Sequence, residues 1–526
     1  MRKRAMLGPL VGAAGMISVL TLSSRVAGFI RWFAQSAWVG TGAFANAYSS
    51  ANQIPNVLYE VVAGGALSGM TIPLLARPIA RKLNDEVEAT SSALATWALI
   101  ILTPLALIVW AASPAIVSLL PTPQGVDQAL QVALMTTFLR IFAVQIPLYG
   151  VCVVLTGVLQ AHEKFFAPAL APLVSSLIVI ATYGIFGAMT AGVHDPGRVA
   201  DSAVRVLGWG TTAGVAGMCL PLIVATWRLG IRLRPRVKLP GDEARHALRL
   251  GGAGMGALLA QQVAVVVVLF VSRRFGGEGT LPIYQYSQAV YMLPYAVLGV
   301  PVATAVFPRL AGSIHSPDKS RFTQILSWST TLVTVIGVLS AGLLFTQAYP
   351  AQAVFTLINP VPGMAEGLIA MAPGLIGFIL IFHVTRTLYA LDRGGAVVKA
   401  SSLAWIVVSI VSWVGAAVWS TSSRAVGTMI GLGVGQSVGM LVGGGVLLGM
   451  LVAVTGRGAL TGLGKRAAIT LALTVVASAI AWVGEKAVLA HLGGLGGALV
   501  ASVIGICCIA AVAAGTALPL LRAMKE

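Results

Sequence analysis

Two guanidinium groups, Arg25 and Arg31, stand in the stretch TLSSRVAGFIRWF (residues 21–33), inside an apolar run from Ala5 to Ala34. Arginine stays cationic in any protein environment, and its planar fork engages two phosphate or carboxylate oxygens at once. At mid-depth in a bilayer it costs about 2.5–3.5 kcal/mol on insertion scales. The chemistry that would offset that cost is capture of a phosphate-bearing group in a partly dry cavity, where charge-assisted hydrogen bonds gain strength. On a straight helix the two side chains would leave about 120° apart, so a bend at Gly28 is expected to converge them. A second reading stands beside this one. As a helix the run is about 45 Å long, against a hydrocarbon core of about 30 Å. The arginines would then lie past the outer edge and snorkel to headgroups.

Other polar residues in apolar surroundings define the rest of a candidate site. Glu60 is the one acid placed well inside a span; it either forms an ion pair with Arg25 or Arg31 or binds a proton or cation. Gln53, Asn56 and Tyr59 can hydrogen-bond sugar or phosphate. Asn52 and Asn56 share a helix face, and helix–helix hydrogen bonding is the competing reading for them. Arg140 either snorkels, pairs within its own half of the chain, or joins a substrate site. His383 and Arg386 are expected to meet lipid phosphates, and Trp32 and Trp38 to act as interface anchors.

No soluble-enzyme chemistry is legible, and no catalytic residue, metal or cofactor is expected. Cys152, Cys219, Cys507 and Cys508 lack zinc-ligand spacing, and all four read as small core hydrophobes. The run GVGQSVGMLVGGG (433–445) fits close helix packing better than a phosphate loop.

The elements that position these residues follow from composition. Of 526 residues, 57% are hydrophobic and 10% charged, and the mean hydropathy is +0.90. Soluble domains carry about 25% charged residues. Apolar runs of about 20 residues recur without period-2 alternation. The expected fold is therefore an all-α polytopic membrane protein. It has about fourteen transmembrane helices, near residues 8–38, 45–78, 90–119, 128–160, 166–191, 202–228, 246–273, 282–312, 322–347, 364–391, 397–419, 425–455, 464–485 and 493–521. The net charge of +18 does not indicate nucleic acid. Alternating the spans from a cytoplasmic N-terminus puts about 25 of the 34 lysines and arginines at inner ends, as the positive-inside rule requires. The largest cluster, Arg228, Arg232, Arg234, Arg236 and Lys238, then faces the anionic lipids of the inner leaflet. Both termini are expected in the cytoplasm. The opening MRKR followed by an apolar run looks like a signal peptide, but that run is too long, so no cleavage is expected.

The chain echoes itself at a spacing of about 235 residues. Pro55 matches Pro294, Pro73 matches Pro308, and LQAHEKFFAPA (159–169) matches LYALDRGGAVVKA (388–400). Duplicated halves suggest a transporter whose site lies between lobes that rock against each other. The expected organisation is an N-terminal six-helix lobe (1–230), a C-terminal six-helix lobe (231–455) and two extra C-terminal helices (456–526).

SRVAGFIR (24–31), ANQIPN (51–56), GGALSG (64–69), the later LRIF (139–142) and FFAPALAP (165–172) resemble the MviN/MurJ family of lipid II flippases, within the multidrug/oligosaccharidyl-lipid/polysaccharide exporter superfamily. FPRL (307–310) and LYALDRGGAVVK (388–399) extend the resemblance into the second half. It implies two lobes around a cationic cavity in a bacterial cell membrane. The implied activity is movement of lipid II, an undecaprenyl-pyrophosphoryl disaccharide-pentapeptide, from the inner to the outer leaflet for peptidoglycan synthesis. Partners would be that lipid-linked precursor, anionic lipids and cell-wall assembly proteins. Arg25 and Arg31 match the family's S-R-x-x-G-x-x-R pattern and so inherit a pyrophosphate-binding role. The sequence departs from the family pattern at Asn46, Tyr59, Gly64 and Ala289. Two alternatives are a drug or cation exporter of the same superfamily and a non-transporting scaffold of the cell-wall machinery.

Overall fold

The computed structural model describes residues 2–61, 68–238, 255–314 and 319–522, and among them it is helical with no strand. That follows from the solvent: in hydrocarbon no water satisfies a free backbone N–H or C=O, and a helix pairs them within one segment. The chain falls into two compact units, residues 1–122 with 126–258 and residues 123–125 with 259–526.

The first unit contains α1 (Arg2–Trp38), α2 (Ala43–Tyr59), α3 (Ser68–Ala80), α4 (Asn84–Ser118), α5 (Gln128–Ala143), α6 (Gln145–Ala161), α7 (Phe166–Thr190) and α8 (Asp201–Arg228). The second contains α9 (Met255–Arg274), α10 (Thr280–Pro294), a π-turn (Tyr295–Gly299), α11 (Val300–Ile314), α12 (Lys319–Thr356), α13 (Met364–Met371), α14 (Gly374–Ala390), α15 (Gly394–Trp419), α16 (Arg424–Thr455), α17 (Leu463–His491) and α18 (Gly494–Arg522). Among the described residues eleven helices are long and apolar enough to cross a membrane, or twelve when α13 and α14, bent by 46°, count as one span. The count of about fourteen is not confirmed: the expected spans at 8–38 and 45–78 are not among these, and residues 62–67 of the second lie outside the described residues.

The internal repeat has a backbone counterpart in each unit. Helix α2 carries Pro55 and widens into π-type turns at Glu60 and Val61. Helix α10 ends on Pro294 and passes directly into the π-turn. Proline lacks an N–H and crowds the preceding turn, so widening after it is the expected accommodation. The caps match as well. Glu163 and Asp392 both adopt left-handed φ, 58° and 56°. The following N–H groups close the same motif, Lys164 to Leu159 C=O and Arg393 to Leu388 C=O, each at 2.8 Å. This is the six-to-one hydrogen bond that terminates a helix through a left-handed residue.

Helix α16 shows what its glycines do. A Cβ at Gly439 would sit 2.7 Å from the Ala404 carbonyl oxygen, and one at Gly435 2.6 Å from the Ser412 nitrogen. Gly433 and Gly444 approach α13 and α14 equally closely, the first at 2.6 Å from Gly367 O and the second at 2.9 Å from Gly377 Cα. The glycine stripe is thus a helix-packing surface on two sides.

The cysteine expectation is corrected. Cys152 of α6 and Cys219 of α8 form a disulfide with Cα atoms 5.3 Å apart, within the range a bridge requires. Their sequence separation of 67 residues carried no signal; the packing of α6 against α8 creates the pair. Cys507 is exposed rather than part of a core.

Gly439→Leu is expected to lower the melting temperature of the detergent-solubilised protein, with overpacking costing about 1–3 kcal/mol. Gly445→Ala, where an added Cβ meets nothing within 4 Å, is expected to leave it unchanged or raise it slightly. Equal melting curves for the two variants would contradict this account of the stripe.

Candidate functional site

The first unit builds its polar site from α2 outward. The first two turns of α2 are buried: Phe44 stacks on Phe186 with ring centroids 5.3 Å apart, and Tyr48 meets Phe138 edge-on at 5.4 Å. Tyr48 Oη lies 3.0 Å from Tyr183 Oη and 2.9 Å from Thr211 Oγ1. Gln131 Nε2 donates to Ala43 O at 2.9 Å. Gln35, near the end of α1, donates to Ser49 Oγ at 3.1 Å and accepts from Tyr183 at 3.3 Å. This buried aromatic and amide core fixes the orientation of α2, so that its last turns, Asn52 to Tyr59, emerge half-buried.

There the site residues gather. Tyr149 of α6 donates its hydroxyl to Asn56 Oδ1 at 3.0 Å, with Gln145 Oε1 farther off at 3.5 Å. Gln145 is itself held through Nε2 to Thr212 Oγ1 at 3.1 Å. The Tyr59 ring lies against the Tyr149 ring, centroids 4.4 Å apart. At the widened turn the Glu60 N–H is shared between Asn56 O and Val57 O, and its side chain is exposed. Arg31 and Glu60 both lie within electrostatic reach of Tyr149, and Arg31 also within reach of Tyr48. Tyrosine and amide groups therefore gather at the end of α2. Such a cluster can hydrogen-bond a polyhydroxylated group while a guanidinium holds its anionic end.

Arg31 is half-buried, its guanidinium 5.4 Å from the Trp32 ring centroid. Arg25 is exposed. Helix α1 runs uninterrupted through Gly28, so there is no break at the expected bend and the two arginines leave on different faces. Among the described residues neither arginine forms an ion pair with Glu60. Gln53 is half-buried on the same turns of α2. Arg140 stands apart: its Nε donates to Ser113 Oγ at 3.3 Å and its guanidinium covers Trp110 at 5.3 Å. Both contacts lie within the first unit.

Of the positions that depart from the family pattern, Asn46 is fully buried and accepts from Ser50 Oγ at 3.1 Å. Gln288, beside Ala289, donates to Tyr284 Oη at 2.6 Å. Gly64 lies outside the described residues. His383 does not meet lipid: it is 2% exposed and faces Ser329 Oγ at 3.4 Å. Arg386 lies over Phe382 at 4.0 Å and donates to Thr304 at 3.1 Å.

Two charged residues of the second unit were missed. Arg273 is 2% exposed and Glu485 1% exposed. Glu485 Oε1 has no hydrogen-bond partner and lies over Gly505 beside Gln347. In sequence each reads as half of a polar pair ending a span, Arg273-Arg274 and Glu485-Lys486; only packing reveals the burial.

The profile of the family described as "Lipid II flippase MurJ" matches residues 35–502. The chain belongs to the lipid II flippase MurJ family. Arg25 and Arg31 precede the first matched residue, while Gln53, Asn56, Tyr59, Glu60 and Arg140 lie within the match. A probable lipid II flippase MurJ of Rhizobium meliloti is 26% identical over 63% of this chain and 60% of its own length. The lipid II flippase MurJ of Burkholderia cenocepacia is 27% identical over 71% of this chain and 72% of its own. In fold, the chain is similar to a lipid II flippase MurJ in an inward closed conformation, with a TM-score of 0.73 over 96% of this chain and 99% of that one at 18% identity. An inward-facing multidrug resistance MATE family transporter of the MOP superfamily follows at 0.62, over 83% and 98%, at 16% identity. The MurJ fold thus covers nearly the whole chain, and the MATE likeness is one of fold.

Tyr149→Phe removes the hydroxyl that holds Asn56 and keeps the ring against Tyr59. It is expected to slow growth support in a flippase-depleted cell about five-fold, one hydrogen bond's worth at about 1 kcal/mol. Arg140→Gln is expected to leave growth support within two-fold at about equal protein level. The opposite order would place the site around Arg140 instead.

Proposed function

We propose that this chain moves lipid II from the inner to the outer leaflet of the bacterial cell membrane, supplying the precursor for peptidoglycan synthesis. The observation that carries the reading is the family match across residues 35–502. The alignment spans 60% of the length of the Rhizobium relative and 72% of the Burkholderia one.

The chemistry of the first unit supports it. Arg31, half-buried on α1, binds the pyrophosphate, and Arg25, exposed on another face of the same helix, meets it only if α1 bends at Gly28 during transport. Arginine suits that role because it remains charged as water is excluded and grips two oxygens at a time. Asn56, Tyr59, Tyr149 and Gln53 offer amide and hydroxyl groups to the sugars. Transport proceeds by alternating access: the six-helix lobes rock, and the headgroup leaves outward while the polyprenyl tail stays in lipid. Both termini are cytoplasmic, as the inner excess of lysine and arginine requires. A cation exporter would present several acids to its substrate; the spans of the first unit offer Glu60 against Arg25 and Arg31.

Purified protein in liposomes with fluorescent lipid II is expected to translocate it, and Arg31→Ala to abolish this while the protein still folds. Arg31→Lys is expected to recover part, because it keeps the charge and loses the fork. Full translocation by an Arg25→Ala, Arg31→Ala double variant would remove both arginines from the substrate site. Absence of translocation by the native protein would favour the scaffold reading.

Single cysteines placed at Gly125 and Gly277 of a protein lacking Cys507 and Cys508 are expected to react with an impermeant maleimide in intact cells. A cysteine at Lys238 is expected to react only after lysis. Labelling at position 238 in intact cells would invert the topology.

A further inference from the structure

Beyond the transport site, the chain after α8 forms a feature of its own. Helix α8 ends at Arg228, and Gly230 turns the backbone with φ 81°. Residues 231–238 then run extended along the first turns of α4. Three alternate backbone N–H groups reach three side chains one helical turn apart. Arg232 N–H donates to Glu88 Oε2 at 3.3 Å, Arg234 N–H to Ser92 Oγ at 3.1 Å, and Arg236 N–H to Thr96 Oγ1 at 3.0 Å. Trp97 Nε1 closes the end on Val237 O at 2.9 Å.

The register has a simple origin. Two residues of extended chain advance about 6.6 Å, and four residues of helix advance about 6 Å. A strand's i, i+2, i+4 donors therefore meet a helix's i, i+4, i+8 acceptors one for one. Side chains alternate along the strand. Ile231 is buried and Leu233 packs partly buried with it, in a cluster that includes Leu75, Leu94 and Val154. Arg232, Arg234 and Arg236 point the other way and are exposed.

The strap's position on α4 says what it meets. From Trp97 onward the exposed surface of α4 is apolar, through Leu99, Ile100 and Ile101, which marks lipid contact with a tryptophan at its edge. The strap lies just before that edge, at headgroup depth. Glu88 lies 4.0 Å from Arg234 Nε, yet the Arg234 side chain stays 75% exposed. A cleft of about 410 Å³ opens between the strap and α4, lined by Asp85, Glu88, Ser92, Arg234 and Arg236 among others. Lys238 adds a fourth cation to the strap, and Arg228 ends α8 just before it.

We propose that the strap 231–238 is a built binding site for anionic phospholipid headgroups. Its arginines are held at fixed spacing by α4, so that their forks engage the phosphates of the surrounding leaflet. Binding depends on the backbone register as well as on total charge. That dependence separates it from diffuse attraction of basic loops to a negative surface.

The test is retention of phosphatidylglycerol, read by native mass spectrometry on the full chain released from mixed phosphatidylglycerol–phosphatidylcholine micelles. The native protein is expected to retain phosphatidylglycerol in preference. Arg232→Gln, Arg234→Gln, Arg236→Gln is expected to lose that preference at least ten-fold, since each cation near an anionic surface contributes about five-fold. Ser92→Ala, Thr96→Val changes no charge; it is expected to weaken retention several-fold at an unchanged melting temperature. Undiminished retention by this pair would show that bulk charge suffices and overturn the proposal. So would retention of phosphatidylglycerol by the triple glutamine variant, or displacement of it by lipid II at stoichiometric amounts, which would assign the strap to the transported substrate. Lipid retention is read without transport, so failure here leaves the flippase reading to its own assay.

Discussion

A backbone amide in hydrocarbon has no water to turn to, and the rest of this structure is organised around that fact. It makes every described span a helix and leaves few departures from α-geometry. The two π-turns after Pro55 and Pro294 are such departures. Each interrupts a span where proline has already removed one N–H. In the first unit that interruption sits beside Asn56, Tyr59 and Glu60, so the backbone's weak point and the polar side chains of the candidate site coincide. The same economy applies to side chains: Gln35, Tyr48, Tyr183 and Thr211 satisfy one another inside the unit, while the end of α2 stays half-buried.

The class of fold was legible because a transmembrane helix is a local property, a matter of composition over about 20 residues. Spans three to fourteen correspond to helices or to the bent pair α13–α14. The repeat was legible from three pairs of residues because proline and helix-stop sequences constrain the backbone directly. The equivalence of Glu163 and Asp392 in left-handed φ is more exact than the side chains suggest. The close packing of the glycines of α16 was legible for the same reason: a missing side chain has few other uses in a helix interior.

Interactions that depend on which helices become neighbours were not legible. Cys152 and Cys219 pair because α6 lies against α8. Tyr149 joins the site because α6 brings it to Asn56, and no spacing in α2 pointed to it. Glu485 and Arg273 looked like span-ending polar residues and are buried. His383 was assigned to lipid from its place along the chain, whereas its helix face turns it inward. The extended strap at 231–238 escaped notice because its arginines read only as an inner-side charge cluster. The alternation of Ile231 and Leu233 with those arginines was the available signal.

Helices that interlock through side chains can shift past one another by changing rotamers. Those whose backbones touch have nothing to rearrange. Gly431, Gly435 and Gly439 bring α16 onto α15 in the second manner, so these two helices move as one stiff plank. Any deformation inside the second unit must then be taken up at seams of the other kind. One is where α12 meets α17 and α18: Trp328 reaches Leu520 O at 3.1 Å, and Gln347 holds Ser502 O at 3.2 Å. Contacts of that sort have alternatives, and the buried carboxylate of Glu485 lies among them.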